Sequence, residues 1–231
     1  MEWWESFFDE HYVQAWTAAG SFTDTDSVVD DVDALLGLQP GAEILDIACG
    51  FGRVAGPLSK RGYRVTGIDF SHRQLQLAEQ RNPGPTYLEA DMRRPPPGPF
   101  DAAINLFSSF GYFDDPRDDA AAVTAWATCL RPGGILVMEL MHRDRVAHLY
   151  GQPIEHPGGI SETGHTDWVT GMRTSTMTYG SIVKTFRFRL YTVTELVQLL
   201  HHAGFGHVDA YGALRGGEVS PESRLALRAV K

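Results

Sequence analysis

The residues best suited to chemistry fall in one short run, ILDIACGFGRVAG, where Gly50, Gly52 and Ala55 follow an apolar stretch and open a helical one. This is the G-x-G-x-x-G/A pattern of an adenosine-binding loop. Glycines let the backbone approach a ligand, and the first amides of the helix offer donors to an anionic or polar group. Asp69 lies 17 positions beyond Gly52, at the end of the next apolar stretch. A carboxylate there can accept from both hydroxyls of a ribose.

Two kinds of ligand fit that much, a dinucleotide and an adenosine that carries a cation. Asp46, four positions before Gly50, would repel a pyrophosphate and suits an ammonium group such as the methionyl amine of S-adenosylmethionine. Asp91, in EADM, can accept from an adenine exocyclic amine. Arg53 follows the second glycine, where it can bind a cofactor carboxylate or pair with a surface acid. Cys49 reads as a small packed thiol.

These residues must be held by alternating elements. Apolar strands are expected at 43–48, 63–68, 85–89, 100–106 and 135–140, with helices at 54–61, 71–80 and 116–130 between most of them. Short apolar strands alternating with helices mean a buried parallel sheet. Upstream, Trp4, Phe8, Tyr12 and Trp16 recur at i,i+4 spacing and predict one helix with an aromatic stripe, either packed on the body or lying over a small-molecule pocket. A second helix over 25–37 buries Val28, Val29, Val32, Leu35 and Leu36. Between 142 and 189, turn residues and β-rich runs predict a small antiparallel cap. A helix over 194–203, with Thr194 as its N-cap, and strands near 207–214 and 224–230 close the chain.

In this order the segments LDIACGFGR, RVTGIDFS, EADM, FDAAINLFSSFGYF, LRPGGILVMELMHRD, FRLYTVTELVQLLHHAGF and SRLALRAVK make the chain resemble the class I S-adenosylmethionine-dependent methyltransferases, bacterial small-molecule subgroup. The resemblance implies a Rossmann-like, doubly wound α/β fold with a mostly parallel sheet, an antiparallel last strand and a small antiparallel β cap inserted after the fifth strand. It implies S-adenosyl-L-methionine as cofactor and no metal. By motif position Asp46, Ala48, Gly50 and Gly52 shape the methionyl site, and Asp69 holds the ribose with Phe70 beside the adenine. Asp91 and Met92 meet the adenine, while Asn105 and Leu106 flank the methionyl part. One domain over 1–231 is expected: N-terminal helices or lid at 1–38, cofactor core at 39–141, substrate cap at 142–190, and a return helix with closing strands at 191–231.

Methyl transfer to an oxygen needs a base, so histidines near strand ends matter. Of nine histidines, His142 directly follows the fifth strand, the side of an open α/β sheet where ligands bind, and is the catalytic candidate, or else is hydrogen-bonded into the cap. His148, His156 and His165 fall in the cap; His148 and His165 join Tyr12, Ser108, Phe110 and Tyr112 as candidates for the substrate pocket. Aromatic faces suit a sulfonium and an apolar substrate alike.

With 29 acidic against 20 basic side chains and a net charge of −9, nucleic acid is excluded as a partner. The longest apolar run, Ile135 to Met138, is far too short for a membrane span, and the acidic, aromatic start MEWWESFFDEHY does not read as a signal peptide. Two cysteines, 80 positions apart, suit a reducing cytoplasm. The expectation is a cytoplasmic enzyme, with a homodimer as one option for its assembly, that methylates O or N of a small molecule in secondary metabolism or in sugar or polyketide tailoring. A cofactor-bound cyclase or isomerase that transfers no methyl, and a nicotinamide oxidoreductase, are the alternatives.

Overall fold

The computed structural model describes residues 3–20, 22–149 and 152–231. The chain opens with α1 (Trp4–Phe7), α2 (Glu10–Ala18) and α3 (Thr25–Leu36), and then alternates β1 (Glu43–Ile47), α4 (Ala55–Lys60), β2 (Arg64–Asp69), α5 (His72–Arg81), β3 (Thr86–Glu89), β4 (Phe100–Asn105), α6 (Pro116–Cys129) and β5 (Leu130–Leu140). A short α7 (Arg143–His148) leads into the strands β6 (Ile154–His156), β7 (Ile160–Thr166), β8 (Met172–Tyr179) and β9 (Ile182–Arg189). The helix α8 (Val193–His202) and the strands β10 (His207–Tyr211) and β11 (Leu225–Val230) follow.

The main sheet runs β10-β11-β5-β4-β1-β2-β3. β1 pairs in parallel with both β2 and β4, and only β11 runs against its neighbours, β5 and β10. The chain winds outward from β1 in one direction and from β4 in the other, so the carboxyl ends of these two strands flank the crevice where such sheets bind ligands. Both faces are buried, as near-continuous apolar strands require. One face packs Leu45, Ala103, Leu136 and Met138 against Trp126 of α6 and Leu196 and Leu200 of α8. The other packs Ile44, Ala102, Ile104 and Val137 against Val29, Val32 and Leu36 of α3 and Leu58 of α4.

The predicted aromatic helix is two helices. Asp9 breaks it: the Asp9 side chain accepts from the Tyr12 amide and caps α2, so Phe8 stands outside both helices. Helix α8 is capped by Thr192, not Thr194, through a reciprocal pair in which Thr192 accepts from the Glu195 amide and Glu195 accepts from the Thr192 amide. The cap holds α7 and β6 beyond the strands expected there. Its sheet, β6-β7-β8-β9, is fully antiparallel. Helix α2 docks on that sheet through Ala15, Ala19, Ile160 and Met177. Gly158, at φ +79°, permits this approach, because a Cβ there would sit 2.7 Å from Ala19 Cα.

Candidate active site

The loop after β1 is built by backbone conformation. Ala48, Gly50 and Gly52 all have positive φ, at 57°, 55° and 74°. A non-glycine residue in this region is strained by about 1 to 3 kcal/mol, a cost that functional loops tolerate. The turn delivers the Gly50 amide to Asp69 Oδ2 at 2.8 Å, while Asp69 Oδ1 accepts from the Ser71 amide at 2.8 Å. Burial raises the Asp69 pKa, and the amides of Ser71, Gly50 and Phe70 pull only part of the way back.

Above this loop opens a cavity lined by Ala48, Gly50, Arg53, Asp69, Phe70, Asp91 and Met92, seven of the expected cofactor residues. Asp91 turns partly aside, because Arg93 Nε lies 2.9 Å from its Oδ2. Gln74, 2% exposed, also lines the cavity, and its Oε1 is buried without a partner. An unpaired buried amide oxygen at a cavity wall is a site for a ligand donor.

Four expected cofactor residues lie elsewhere. Gly52 does not line the cavity; the Tyr87 ring packs over it, and a Cβ would stand 2.9 Å from the ring's Cζ. Asn105 is 1% exposed and braces the strand ends, donating to Ile47 O at 3.2 Å and Ser109 O at 3.0 Å. Leu106 faces a second chamber. Asp46 lies beneath the loop, 4% exposed, and burial followed by the nearby Asp69 pushes its pKa up to about 8.

The second chamber, of about 340 Å³, lies between α1, α2, the loop after β4 and the cap. Phe8, Tyr12, Arg53, Phe107 and Tyr112 line both cavities and form their common wall. Arg53 is wedged there between the rings of Phe22 and Phe107, 5.4 and 5.6 Å from their centroids, and donates to Thr25 Oγ1 at 3.2 Å. Burial raises the phenol pKa of both Tyr12 and Tyr112, so each keeps its proton at neutral pH.

Phe107 and Ser108 both sit at φ 58°. Glu139 of β5 holds this kink: its Oε2 accepts from the Phe107 amide at 2.9 Å, and its carbonyl accepts from the Ser108 amide at 3.0 Å. Arg224, just before β11, pairs with Glu139 Oε1 and donates to Ser108 Oγ at 3.0 Å. Ser108, Glu139 and Arg224 all line the second chamber.

Of the expected substrate residues, Tyr12, Ser108 and Tyr112 reach the chamber. Phe110 does not. It is 2% exposed and packed between the rings of Trp126 and Tyr191. His142, expected as the base, lines neither cavity: it is 1% exposed, with Nε2 on the Ser223 carbonyl at 3.2 Å, because the chain turns into α7 immediately after it. His148 lies on the surface, 3.7 Å from Glu222, and His165 is exposed on β7; neither lines the chamber.

The chamber is completed by residues without a sequence signal of their own, Glu139, Arg224, Phe186 and Phe188 among them. His156 and Glu162, from β6 and β7, add the cap's polar contribution.

Residues 44–134 match the profile of the methyltransferase domain family. That segment, which holds the glycine loop, Asp69 and Asp91, is thus similar to methyltransferase domains. It is 35% identical over 112 residues to dTDP-3-amino-3,4,6-trideoxy-alpha-D-glucopyranose N,N-dimethyltransferase of Streptomyces venezuelae, covering 48% of this chain and 47% of that one. Malonyl-[acyl-carrier protein] O-methyltransferase of Serratia marcescens is 27% identical over 92% of this chain and 84% of its own. The chain spans about half the length of the first of these relatives. Among solved structures, a methyltransferase from Streptomyces caelestis superposes with a TM-score of 0.76 at 17% identity, covering 90% of this chain and 94% of that one. An amino pentose methyltransferase from Micromonospora echinaspora, solved with S-adenosylmethionine bound, gives 0.68 at 22% identity, covering 96% and 97%. At these identities the structures establish the methyltransferase fold. No helix among the described residues is long and apolar enough to cross a membrane, and no group of three or more His, Cys, Asp or Glu among them could hold a metal ion.

Proposed function

We propose that the protein transfers a methyl group from S-adenosylmethionine to an oxygen or nitrogen of a small molecule. The observation that carries this reading is the common wall. An adenosine-type cavity and an aromatic chamber meet at Phe8, Tyr12, Arg53, Phe107 and Tyr112, where a donor on one side faces an acceptor on the other. The residues fit the cofactor: Asp69 for the ribose hydroxyls, Phe70 and Met92 around the base, the unpaired Gln74 oxygen as an acceptor, and Arg53 for the carboxylate. Asp46 lies buried beneath the loop, where burial and Asp69 favour its protonated form, and a cationic ligand above it would draw it towards the ionised form. When bound, the cofactor supplies an electrophilic methyl on a sulfonium.

The protein's part is alignment. Bringing the acceptor within about 3 Å of that methyl, in line with the bond that breaks, supplies most of the acceleration. Tyr12 and Tyr112 stay protonated, so at the common wall they orient groups by hydrogen bonding and do not take a proton. The ring faces of Phe8 and Phe107 exclude water and favour a cation.

The whole chain reads as one methyltransferase domain, with residues up to 38 as a lid and 142–190 as the part that selects the substrate. Biosynthetic tailoring, a cytoplasmic location and a homodimeric state belong to the same reading. Incubating the protein with methyl-labelled S-adenosylmethionine and a panel of phenols, amino sugars and hydroxylated rings tests it. Label in a small product with release of S-adenosylhomocysteine is expected. Tight S-adenosylhomocysteine binding with no label moved to any acceptor would favour a cofactor-bound cyclase or isomerase.

A further inference from the structure

The cap end of the second chamber carries buried polar groups that the methyl-transfer reading does not use. Glu162 of β7 is 5% exposed and lines the chamber. His156 of β6 lines it too, with Nε2 3.5 Å from Glu162 Oε2. Arg173 of β8, 6% exposed, approaches the other carboxylate oxygen, Nε to Oε1, at 3.7 Å. Both separations exceed hydrogen-bond length. His156 Nε2 and Arg173 Nε are accordingly buried without a hydrogen-bond partner. Trp16 stands edge-on to His156, ring centroids 4.8 Å apart, and its indole Nε1 is likewise buried and unpaired. Trp16 also lines the chamber.

Orphaned buried polar atoms are rare; His156 and Trp16 carry two of them at the chamber wall and Arg173 carries a third beside Glu162, a cluster that a ligand would complete. The carboxylate accepts only, while the indole donates only and the imidazole can do either. An O–H or N–H group entering here donates to Glu162, and a hydroxyl oxygen accepts in turn from Trp16. Besides the charged and hydroxyl side chains of Asp24, Arg53, Ser108, Glu139 and Arg224, the chamber has apolar and aromatic walls from Trp3, Phe7, Phe186, Phe188, Met141 and Leu214. Such walls take a ring-shaped, largely apolar skeleton.

The geometry points to His156, Glu162 and Trp16 as the specificity-determining site of the acceptor substrate. It takes a hydroxyl or ammonium group on an apolar ring and so fixes which other atom of that molecule faces the common wall. This rests on the methyl-transfer reading for its purpose, but its binding chemistry can be measured separately. His156 and Glu162 are positioning residues; the proposal moves no proton or methyl through them.

The test is calorimetric titration of the intact protein, saturated with S-adenosylhomocysteine, with phenol, cyclohexylamine and benzoate. Phenol and cyclohexylamine are expected to bind and benzoate to bind far more weakly, since a second carboxylate would face Glu162. In Glu162→Gln both favoured probes should weaken about ten-fold or more, the loss typical of a charge-assisted hydrogen bond. His156→Gln, which keeps a donor and an acceptor, should weaken them less. Affinity for S-adenosylhomocysteine should stay within about two-fold in both variants, which also reports that they fold. Equal probe binding in wild type and both variants, a preference for benzoate, or no binding of any probe at millimolar concentration would overturn the proposal. Failure of the methyl-transfer reading would show itself differently, as no label moved from methyl-labelled S-adenosylmethionine to any acceptor while the probes still bind as expected.

Discussion

Lys184 Nζ on β9 lies 2.8 Å from Asp9 Oδ1, joining the antiparallel sheet β6-β7-β8-β9 to the N-cap residue of helix α2. The same ammonium donates to the carbonyls of Ser6 and Phe7 at 3.1 and 3.0 Å. On the cofactor side, Gln74 Nε2 donates to Phe8 O at 3.1 Å. The N-terminal segment is thus tied at one point to both chambers. With Asp9 still open to water, this half-buried ion pair contributes on the order of 1 kcal/mol to global stability, so the main effect of breaking it should be kinetic. Lys184→Ala is expected to speed S-adenosylhomocysteine release several-fold and to sensitise residues 3–20 to proteases, with the melting temperature nearly unchanged. Stopped-flow release and limited proteolysis check this. Burial pulls the Asp9 pKa up, but the Lys184, Tyr12 and His11 hydrogen bonds more than reverse it. A depressed carboxylate stabilises above its unfolded pKa, so the tether should hold at neutral pH and fail only below about pH 4.

Gly158→Ala tests the docking of α2 on the cap. The residue would have to adopt φ +79° and place a Cβ against Ala18 and Ala19. A destabilisation of about 1 to 3 kcal/mol is expected from the backbone strain alone. A thermal melt equal to wild type would mean that the two elements approach less closely than this.

Asp69→Ala should weaken S-adenosylhomocysteine by about 1 to 3 kcal/mol through loss of charge-assisted hydrogen bonds. It also leaves the Gly50 and Ser71 amides unpaired, so Asp69→Asn serves as the milder comparison. Unchanged affinity by calorimetry in both variants would remove Asp69 from the ribose site.

Asp46 gives a pH signature. Its folded pKa of about 8 lies above the roughly 3.9 of an unfolded aspartate, so the folded state holds this proton more tightly. Its contribution to stability is complete below about pH 4 and is lost as pH rises towards 8. Asp46→Asn should therefore gain melting temperature relative to wild type as pH climbs from 5 to about 8. A difference between the two proteins that does not vary with pH would contradict the assignment.

Asp119 of α6, wholly buried, links the cap's return to the sheet. It accepts from Tyr191 Oη at 2.7 Å and faces Arg189 Nε at 3.4 Å, and burial lifts its pKa to about 6. Arg189 continues to the carbonyls of Thr170 and Asp114, at 2.6 and 2.8 Å. Asp119→Ala strands a buried guanidinium and should cost about 3 to 5 kcal/mol in chemical denaturation.

Signals carried within a few residues of one another are legible in the amino-acid sequence. The glycine loop, Asp69, Asp91 and the alternation of strands and helices depend on local spacing, and they lie where that spacing puts them. What depends on distant pairing is not legible. Glu139 and Arg224 are 85 positions apart and meet because β11 inserts antiparallel beside β5. Strand ends bind ligands, which makes His142 the expected base, but the immediate turn into α7 seals that ring under Ser223. Two departures carry a local signal all the same. Asp9 followed by Glu10 is a helix start inside the aromatic stripe, and Thr192 with Glu195 is a capping box two residues before Thr194.

The Arg143 amide donates to the Tyr191 carbonyl at 2.8 Å, so the chain departs from the sheet and rejoins it at nearly one point. Whatever is strung between those two residues adds only a slowly growing loop-closure cost to the sheet. The cap is thus a graft site. A different insert spliced between Arg143 and Arg189, with Arg189 and Tyr191 kept for Asp119, would leave in place the strands that hold Asp69 and the glycine loop, giving the same donor machinery a new clientele.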